Sequence, residues 1–335
     1  MELLAIGDVT VDLYLALPGL PEPSGDAHVQ RMILRAGGSA ANTAAVAAAL
    51  GLSTALIGAV GIDPMGEWVR AQLAASGVDV RSIQRRPEAP TSIITILVTP
   101  DGERTMLSYR GASRFAALRE EDRARLRRAA FFHLSGYALL EESPLRRTAM
   151  ALLEEAAAHG LRCALDPGLP ACRMAPEAVR GALHRTHILL LTEKEAWILF
   201  GPEPRRGFDE APGLRWMALK RGEQGCRLLG REGEDIAVPA FRVPVSDTTG
   251  AGDAFNAGFL FGMACGTRPE VAALLGNAAG ALACTVWGVI GSFPGRMAME
   301  RLLQEASRDP DWSSWRALLA EAQGCLRGSR IPGKA

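Results

Sequence analysis

Asp247-Thr248-Thr249-Gly250-Ala251-Gly252-Asp253 sets two carboxylates around a run of small residues, and apolar positions at Ala254, Phe255, Phe259 and Leu260 follow at helical spacing. The spacing predicts a helix beginning near Gly252. Its first amides have no partner earlier in the helix. Together with the helix dipole they favour an anion, which glycine allows to approach closely. Asp253 stands in the first turn, at the rim of that anion site. Two roles are open to it. It can complement the dipole, or it can take a proton from an attacking hydroxyl while the amides hold a migrating phosphoryl group.

A second run, Arg35-Ala36-Gly37-Gly38-Ser39-Ala40-Ala41-Asn42-Thr43, leads into a segment made almost entirely of alanine. A helix of such small side chains can lie very close to a neighbour or a ligand. Ser39 fits an N-cap, and Asn42 on the first turn offers both a donor and an acceptor to a polyhydroxylated ligand. Close packing alone would explain the same residues.

Together, in this order and in a chain of this size, the two runs resemble the ribokinase-like (pfkB) family of carbohydrate kinases, over about residues 1–300. No GxxxxGK[ST] sequence occurs, so a P-loop kinase is not the reading. The resemblance implies a three-layer α/β/α sandwich with a mostly parallel central sheet and a small β-sheet lid. It makes Asp253 the base that deprotonates a sugar hydroxyl, with the amides of Gly250, Ala251 and Gly252 as the anion hole. Asp12, Gly38 and Asn42 would contact the sugar, joined by Tyr109 and Arg110 where a lid strand returns to the body.

For the nucleotide, the resemblance points to Thr192-Glu193-Lys194-Glu195, where Glu195 would organise magnesium indirectly and Thr192 stands in place of the family's usual Asn. A first-turn carboxylate facing solvent is the alternative for Glu195. Lys220, Gly222 and Gly225 fall on the ATP-contacting loop, and Asn277 falls on the adenine pocket or is simply one polar position in a core helix. Asp247 and Thr249, with the turn Gly288–Ser292, match the loops that hold a potassium ion in some members.

Elements able to position these groups are visible in the hydrophobic pattern. Leu3–Gly7, Ala55–Val60, Ala130–Leu134, Arg162–Leu165, Ile188–Leu191 and Trp216–Lys220 are short apolar runs. They alternate with helical segments at Ser39–Leu50, Met65–Ser76, Pro144–His159, Pro176–Leu183 and Glu193–Phe200. This strand–helix alternation predicts a parallel sheet covered on both faces. Residues 10–35 and 90–110 instead alternate apolar and polar, with a turn at Pro100-Asp101-Gly102. They predict a small sheet that closes over a ligand as a lid, or else extends the edge of the main sheet.

Residues 201–215 read as a polar surface loop. The expected division is a kinase domain over 1–304 and a helical extension of unknown role over 305–335. A last helix is expected at Ser313–Gln323, with GSRIPGKA frayed behind it.

The chain has 335 residues, 37 Lys+Arg and 37 Asp+Glu, so no global positive field is available for nucleic acid. Six scattered cysteines without a CxxC pair read as reduced thiols, and the acidic N-terminal strand is not a signal peptide. A cytoplasmic protein with no membrane or nucleic-acid partner is expected. The expected activity is transfer of the γ-phosphoryl group of ATP, with Mg2+ and in some members K+, to a hydroxymethyl group of a sugar such as ribose, fructose or 2-keto-3-deoxygluconate. A homodimer through the lid is expected. A nucleoside kinase of the same family is one alternative, and a non-catalytic sugar or nucleotide sensor is another.

Overall fold

The computed structural model describes residues 2–100 and 104–328. In chain order its elements begin with β1 (Leu3–Ile6), β2 (Thr10–Ala16), β3 (Arg31–Gly37), α1 (Ser39–Leu50), β4 (Thr54–Gly61), α2 (Pro64–Ala75), β5 (Val78–Asp79), β6 (Ile83–Arg86), β7 (Ser92–Val98) and β8 (Arg104–Tyr109). They continue with α3 (Glu120–Leu126), β9 (Phe131–Ser135), α4 (Pro144–Ala158), β10 (Arg162–Asp166), α5 (Leu169–Met174), α6 (Pro176–Leu183), β11 (Ile188–Thr192), α7 (Glu193–Phe200) and α8 (Arg206–Glu210). The last are β12 (Trp216–Lys220), β13 (Cys226–Gly230), β14 (Asp235–Val238), α9 (Ala251–Ala264), α10 (Pro269–Ala283), α11 (Gly295–Arg308) and α12 (Arg316–Arg327).

The main sheet runs β14-β13-β12-β11-β10-β9-β1-β4-β5, with β6 also pairing β4. From β12 across to β4 every pairing is parallel, and only β13 and β14 run antiparallel at one edge. The strands are apolar at nearly every position because helices cover both faces. Leu3 and Ala5 enter the core beneath α1, α9 and α10, while Leu4 and Ile6 enter the core beneath α4, α6 and α7. The expected three layers are present.

The lid is a separate four-stranded sheet in the order β3-β2-β7-β8. Both alternating segments contribute, and β2 runs parallel to β7 while β3 and β8 run antiparallel at the edges. Register assigns the faces. Asp12 lies opposite Arg35 and Ile94, so these side chains share one face, the face from which Arg35 and Arg104 reach the body at Trp287 and Asp247. Asp101 and Gly102 of the expected turn lie outside the described residues.

Three boundaries differ from the sequence expectations. The 201–215 segment contains α8, because Phe208 is buried and Arg205 and Arg231 lie over its ring. The final helix starts later, at Arg316, after a 3-10 segment at Pro310–Trp315 that Pro310 opens. The expected 304/305 division falls inside α11, and α12 buries Leu319, Ala322 and Leu326 in the same core as α9 and α10. The extension is therefore part of the body. Of the GSRIPGKA tail only exposed Gly328 is described. Among the described residues, all six cysteines are free and no helix is long and apolar enough to cross a membrane.

Candidate active site

Nine of the twelve α1 residues are buried, and the small side chains let it pack closely against α9. That approach delivers the three polar residues of its first turn and a half to one target. Ser39 Oγ donates to Asp253 Oδ1 at 2.7 Å, Asn42 Nδ2 donates to Asp253 Oδ2 at 2.8 Å, and Thr43 Oγ1 donates to the Asp253 carbonyl at 3.3 Å. Each carboxylate oxygen is thus held by its own donor, which fixes the plane of the group. Ser39 is not the N-cap that the sequence suggested. Gly38 occupies the cap position, and the Ser39 hydroxyl turns to the carboxylate of α9. Asn42 likewise reaches Asp253, so its clearest role is to aim that carboxylate.

Burial, and then the charge of Asp166, push the Asp253 carboxyl up to about 7, against the hydrogen bonds from Asn42 and Ser39 and the charge of Lys220. A proton acceptor balanced near neutrality suits general-base work. Gly250 caps α9 in the left-handed region at φ 80°, which a side chain rarely tolerates. The Ala251 amide is taken by the Thr248 carbonyl, and the first intrahelical bond runs from Ala254 to Gly250. The helix therefore opens toward a ligand through Gly252 and Asp253, with the Ala251 amide serving the turn.

Beneath this turn lies a buried charge network. Lys220 Nζ donates to Asp166 Oδ2 at 2.8 Å and to Asn256 Oδ1 at 3.2 Å, and Asn256 Nδ2 donates to the same Asp166 oxygen at 2.5 Å. Although burial opposes both charges, Lys220 holds Asp166 below its ordinary carboxylate value, and Asp166 with Glu195 holds Lys220 above its ordinary value. Lys220 Nζ also lies 3.5 Å from where a Cβ on Gly252 would be, so a positive charge sits directly under the anion site.

Thr192 and Glu195 form a reciprocal capping box. The Thr192 amide donates to Glu195 Oε2 at 2.7 Å, and the Glu195 amide donates to Thr192 Oγ1 at 3.3 Å. Thr192 thus fixes Glu195, whose carboxyl burial and the neighbouring Asp166 raise above its ordinary value. Among the described residues no three His, Cys, Asp or Glu side chains form an all-protein metal site. A buried Glu195 carboxylate whose proton affinity the nearby Asp166 charge raises has the chemistry to accept water bound to a divalent cation carried mostly by phosphate.

On the lid side, Asp12 is buried, accepts from Thr10 Oγ1 at 2.7 Å, and is pushed up to about 6 by burial and by Asp247. A Cβ on Gly37 would fall 2.2 Å from Asp12 Oδ2, which is why this position carries glycine. Two expected sugar contacts are placed otherwise. Arg110 pairs with Asp8 through Nε and Nη2 at 3.0 and 2.7 Å and with Glu141 at 3.0 Å, so its guanidinium is already matched by two carboxylates. Tyr109 pairs in register with Ile93 on the lid face opposite Asp12 and is 50% exposed.

Asp247 and Thr249 do come together, but with a guanidinium. Arg104, at the start of β8, donates through Nη1 to Asp247 Oδ1 at 2.9 Å and to Thr249 Oγ1 at 2.6 Å, and through Nη2 to Thr248 Oγ1.

Beside the Lys220 end of the network opens a cavity of about 590 Å³. Of the residues expected at the nucleotide, Lys220, Gly222, Gly225 and Asn277 line it and Thr192 does not; Gly252 of the α9 turn joins them, and the broad apolar wall includes Phe241 and Phe255. Asn277 spends both amide hydrogens on the carbonyls of Val238 and Pro239, at 3.1 and 2.9 Å, and so shapes the wall. Sequence reasoning missed Ser39's role, Asp166, Asn256 and Arg104. Ser39, Asn42 and Thr43 at i, i+3 and i+4 on an alanine helix carried a signal, since they share one face. Asp166 and Arg104 carried none.

Residues 1–296 match the model of the pfkB family of carbohydrate kinases. The chain is 32% identical over 285 residues to an ATP-dependent ribose-1-phosphate kinase of Halopiger xanaduensis, covering 84% of this chain and 91% of that one. It is 31% identical over 317 residues to a fructokinase of Salmonella typhimurium, covering 88% and 97%. Among solved structures, Arabidopsis thaliana ribokinase complexed with ribose and ATP superposes with a TM-score of 0.79 at 23% identity, covering 90% of this chain and 98% of that chain. A putative ribokinase II from E. coli in complex with ATP and Mg2+ gives 0.76 at 24%, covering 91% and 99%.

Proposed function

Because the chain belongs to the pfkB family of carbohydrate kinases, and is a phosphotransferase that uses ATP on a sugar hydroxyl, we propose that it phosphorylates the hydroxymethyl group of a small neutral sugar of the ribose–fructose class, with Asp253 as general base. The observation that carries this reading is the Asp253 carboxylate, each oxygen held by a separate donor at the mouth of a helix N-terminus.

The acceptor hydroxyl approaches Asp253 while Asp12 accepts hydrogen bonds from the other sugar hydroxyls. Ser39 and Asn42 keep the carboxylate oriented as it takes the proton, and the sugar oxygen forms its bond to the γ-phosphorus as the bond to the β-phosphate oxygen breaks. The Gly252 opening and Lys220 stabilise the charge on the transferring group. Magnesium, when bound near Glu195, supplies charge neutralisation to the phosphates. The lid, its inner face bearing Asp12, excludes the water that would compete as nucleophile.

A neutral sugar is favoured over a sugar acid because Asp8 and Glu141 already occupy Arg110. The outer lid face exposes Met32 at 68%, Leu107 at 56% and Tyr109 at 50%, and we assign it to a homodimer contact. Sedimentation of wild type against Leu107→Glu checks this, with the monomer expected for the variant.

The function test is ATP consumption, with product identified by 31P NMR, on ribose, fructose, ribose 1-phosphate, 2-keto-3-deoxygluconate and adenosine. Preferential turnover of ribose or fructose is expected. Preferential turnover of adenosine, the sugar acid or the sugar phosphate would overturn the substrate assignment. Full activity in Asp253→Asn would overturn the base.

A further inference from the structure

The lid touches the catalytic turn at one place that the chemistry above does not use. Ala16, Val98 and Arg104 are neighbours across β2, β7 and β8, so Arg104 sits at the lid's outer end on the same face as Asp12. From there its guanidinium reaches Asp247, Thr248 and Thr249 at once. We propose that Arg104 is a positioning residue that latches the lid tip onto the segment entering the anion-hole turn and supplies, from within the chain, the positive charge at Asp247 that a potassium ion would otherwise provide.

Asp247 is buried, and its Oδ1 accepts from the Thr249 amide at 3.0 Å, the Thr249 hydroxyl at 2.8 Å and Arg104 at 2.9 Å. A potassium ion on either oxygen of this carboxylate would lie within a few ångströms of the guanidinium that already holds Oδ1, and like charges in a partly buried site repel. Asp247 Oδ2 is buried without a hydrogen-bond partner among the described residues, so the carboxylate depends on Arg104 for a counter-charge. Trp287, the residue just before the Gly288–Ser292 turn expected to hold potassium, is also engaged from the lid, since Arg35 Nε donates to its carbonyl at 3.0 Å. A guanidinium stays charged at every working pH and binds oxygens in a fixed geometry.

Two consequences follow from this placement. Opening the lid withdraws Arg104 and leaves a buried, unpaired carboxylate, so closure and neutralisation of Asp247 are one event. Thr249 immediately precedes the Gly250 cap, so the same event fixes the turn that receives the phosphoryl group. The inference rests on the proposed sugar-kinase reading for its kinetic arm alone.

The experiment compares wild type, Arg104→Met and Arg104→Lys in tetramethylammonium buffer with and without potassium at matched ionic strength. It reads Tm, and kcat/KM for the best sugar. Wild type should change less than about twofold in kcat/KM, with no shift in Tm. Arg104→Met should lose about tenfold to a hundredfold in kcat/KM for sugar, recover part of it in potassium, and show a Tm that potassium raises. Arg104→Lys should remain independent of potassium in both readouts. Strong potassium activation or a potassium-raised Tm in wild type would overturn the proposal. So would an Arg104→Met protein that matches wild type in both readouts. If none of the acceptors is turned over, the kinase assignment fails, and the potassium response of Tm in wild type against Arg104→Met still decides the cation assignment.

Discussion

Around Asp253 the side chains are directional. Ser39 and Asn42 donate to separate oxygens, and Lys220, Asp166 and Asn256 close a hydrogen-bonded network beneath the turn. Around the cavity that we assign to the nucleotide the wall is mostly apolar, with Phe241, Phe255, Val243 and Val245 offering surface but no direction, and Asn277 facing its own backbone contacts. The contrast matches what each end must do. In-line transfer requires a hydroxyl placed to within a fraction of an ångström, whereas a planar base requires a slot of the right width. Substitutions at the first end should change kcat and its pH dependence, and those at the second should change the KM for ATP.

Asp253→Asn tests the directional end most severely, with kcat expected to fall about a thousandfold. Stability should move the other way. Since the folded state lifts this carboxyl from 3.8 to about 7, the unfolded chain releases the proton first. The contribution of Asp253 to stability therefore falls as pH rises through that window and is level above it. The Tm of Asp253→Asn above pH 7 should accordingly exceed that of wild type, and a lower Tm would contradict the burial argument. The same titration predicts that wild-type kcat/KM falls below about pH 7 as the base becomes protonated.

Lys220 is where the two ends meet, since it binds Asp166 and also lines the cavity. Lys220→Met should destabilise the fold by about 3–5 kcal/mol, because it leaves Asp166 buried and uncompensated. The urea midpoint measures this, and Lys220→Met with Asp166→Asn should regain most of the loss.

Ser39→Ala should lower kcat about tenfold and move the acid limb of the pH profile upward, because a hydrogen bond that favours the ionised base is gone. An unmoved limb would assign Ser39 to packing.

The smallest effect belongs to the non-directional end. Trp312 stacks on Phe241 at 4.5 Å between ring centroids and 18° between planes, and supports the cavity wall from the C-terminal segment. Trp312→Ala should raise the KM for ATP about threefold and leave the KM for sugar unchanged. An equal rise in both would erase the distinction between the two ends.

Legibility in the sequence follows the same division. Helices at Ser39–Leu50, Pro176–Leu183 and Glu193–Phe200 fall where the pattern places them, because the alanine-rich composition of the first, the apolar periodicity of the second and the Thr192–Glu195 capping box of the third all act locally. The apolar strands and both glycine-rich turns were legible for the same reason. Tyr109 was not, since in a strand an alternating segment can present either set of side chains to the site, and only its pairing with Ile93 chooses the outer face. Phe208 was hidden in a polar segment because one buried ring suffices to order it.

The sequence by itself determined the alternation of strand and helix, the glycine turn that opens α9, and the placement of a carboxylate at its mouth. These depend on residues close together in the chain, whose backbone preferences need no distant partner. Tertiary structure alone decided that α1 donates to Asp253, that Lys220 pairs with Asp166, and that Arg104 reaches Asp247 from the lid. Each of those pairs is separated by tens to hundreds of residues. A charge acquires its role from the oppositely charged or hydrogen-bonding group that folding buries beside it.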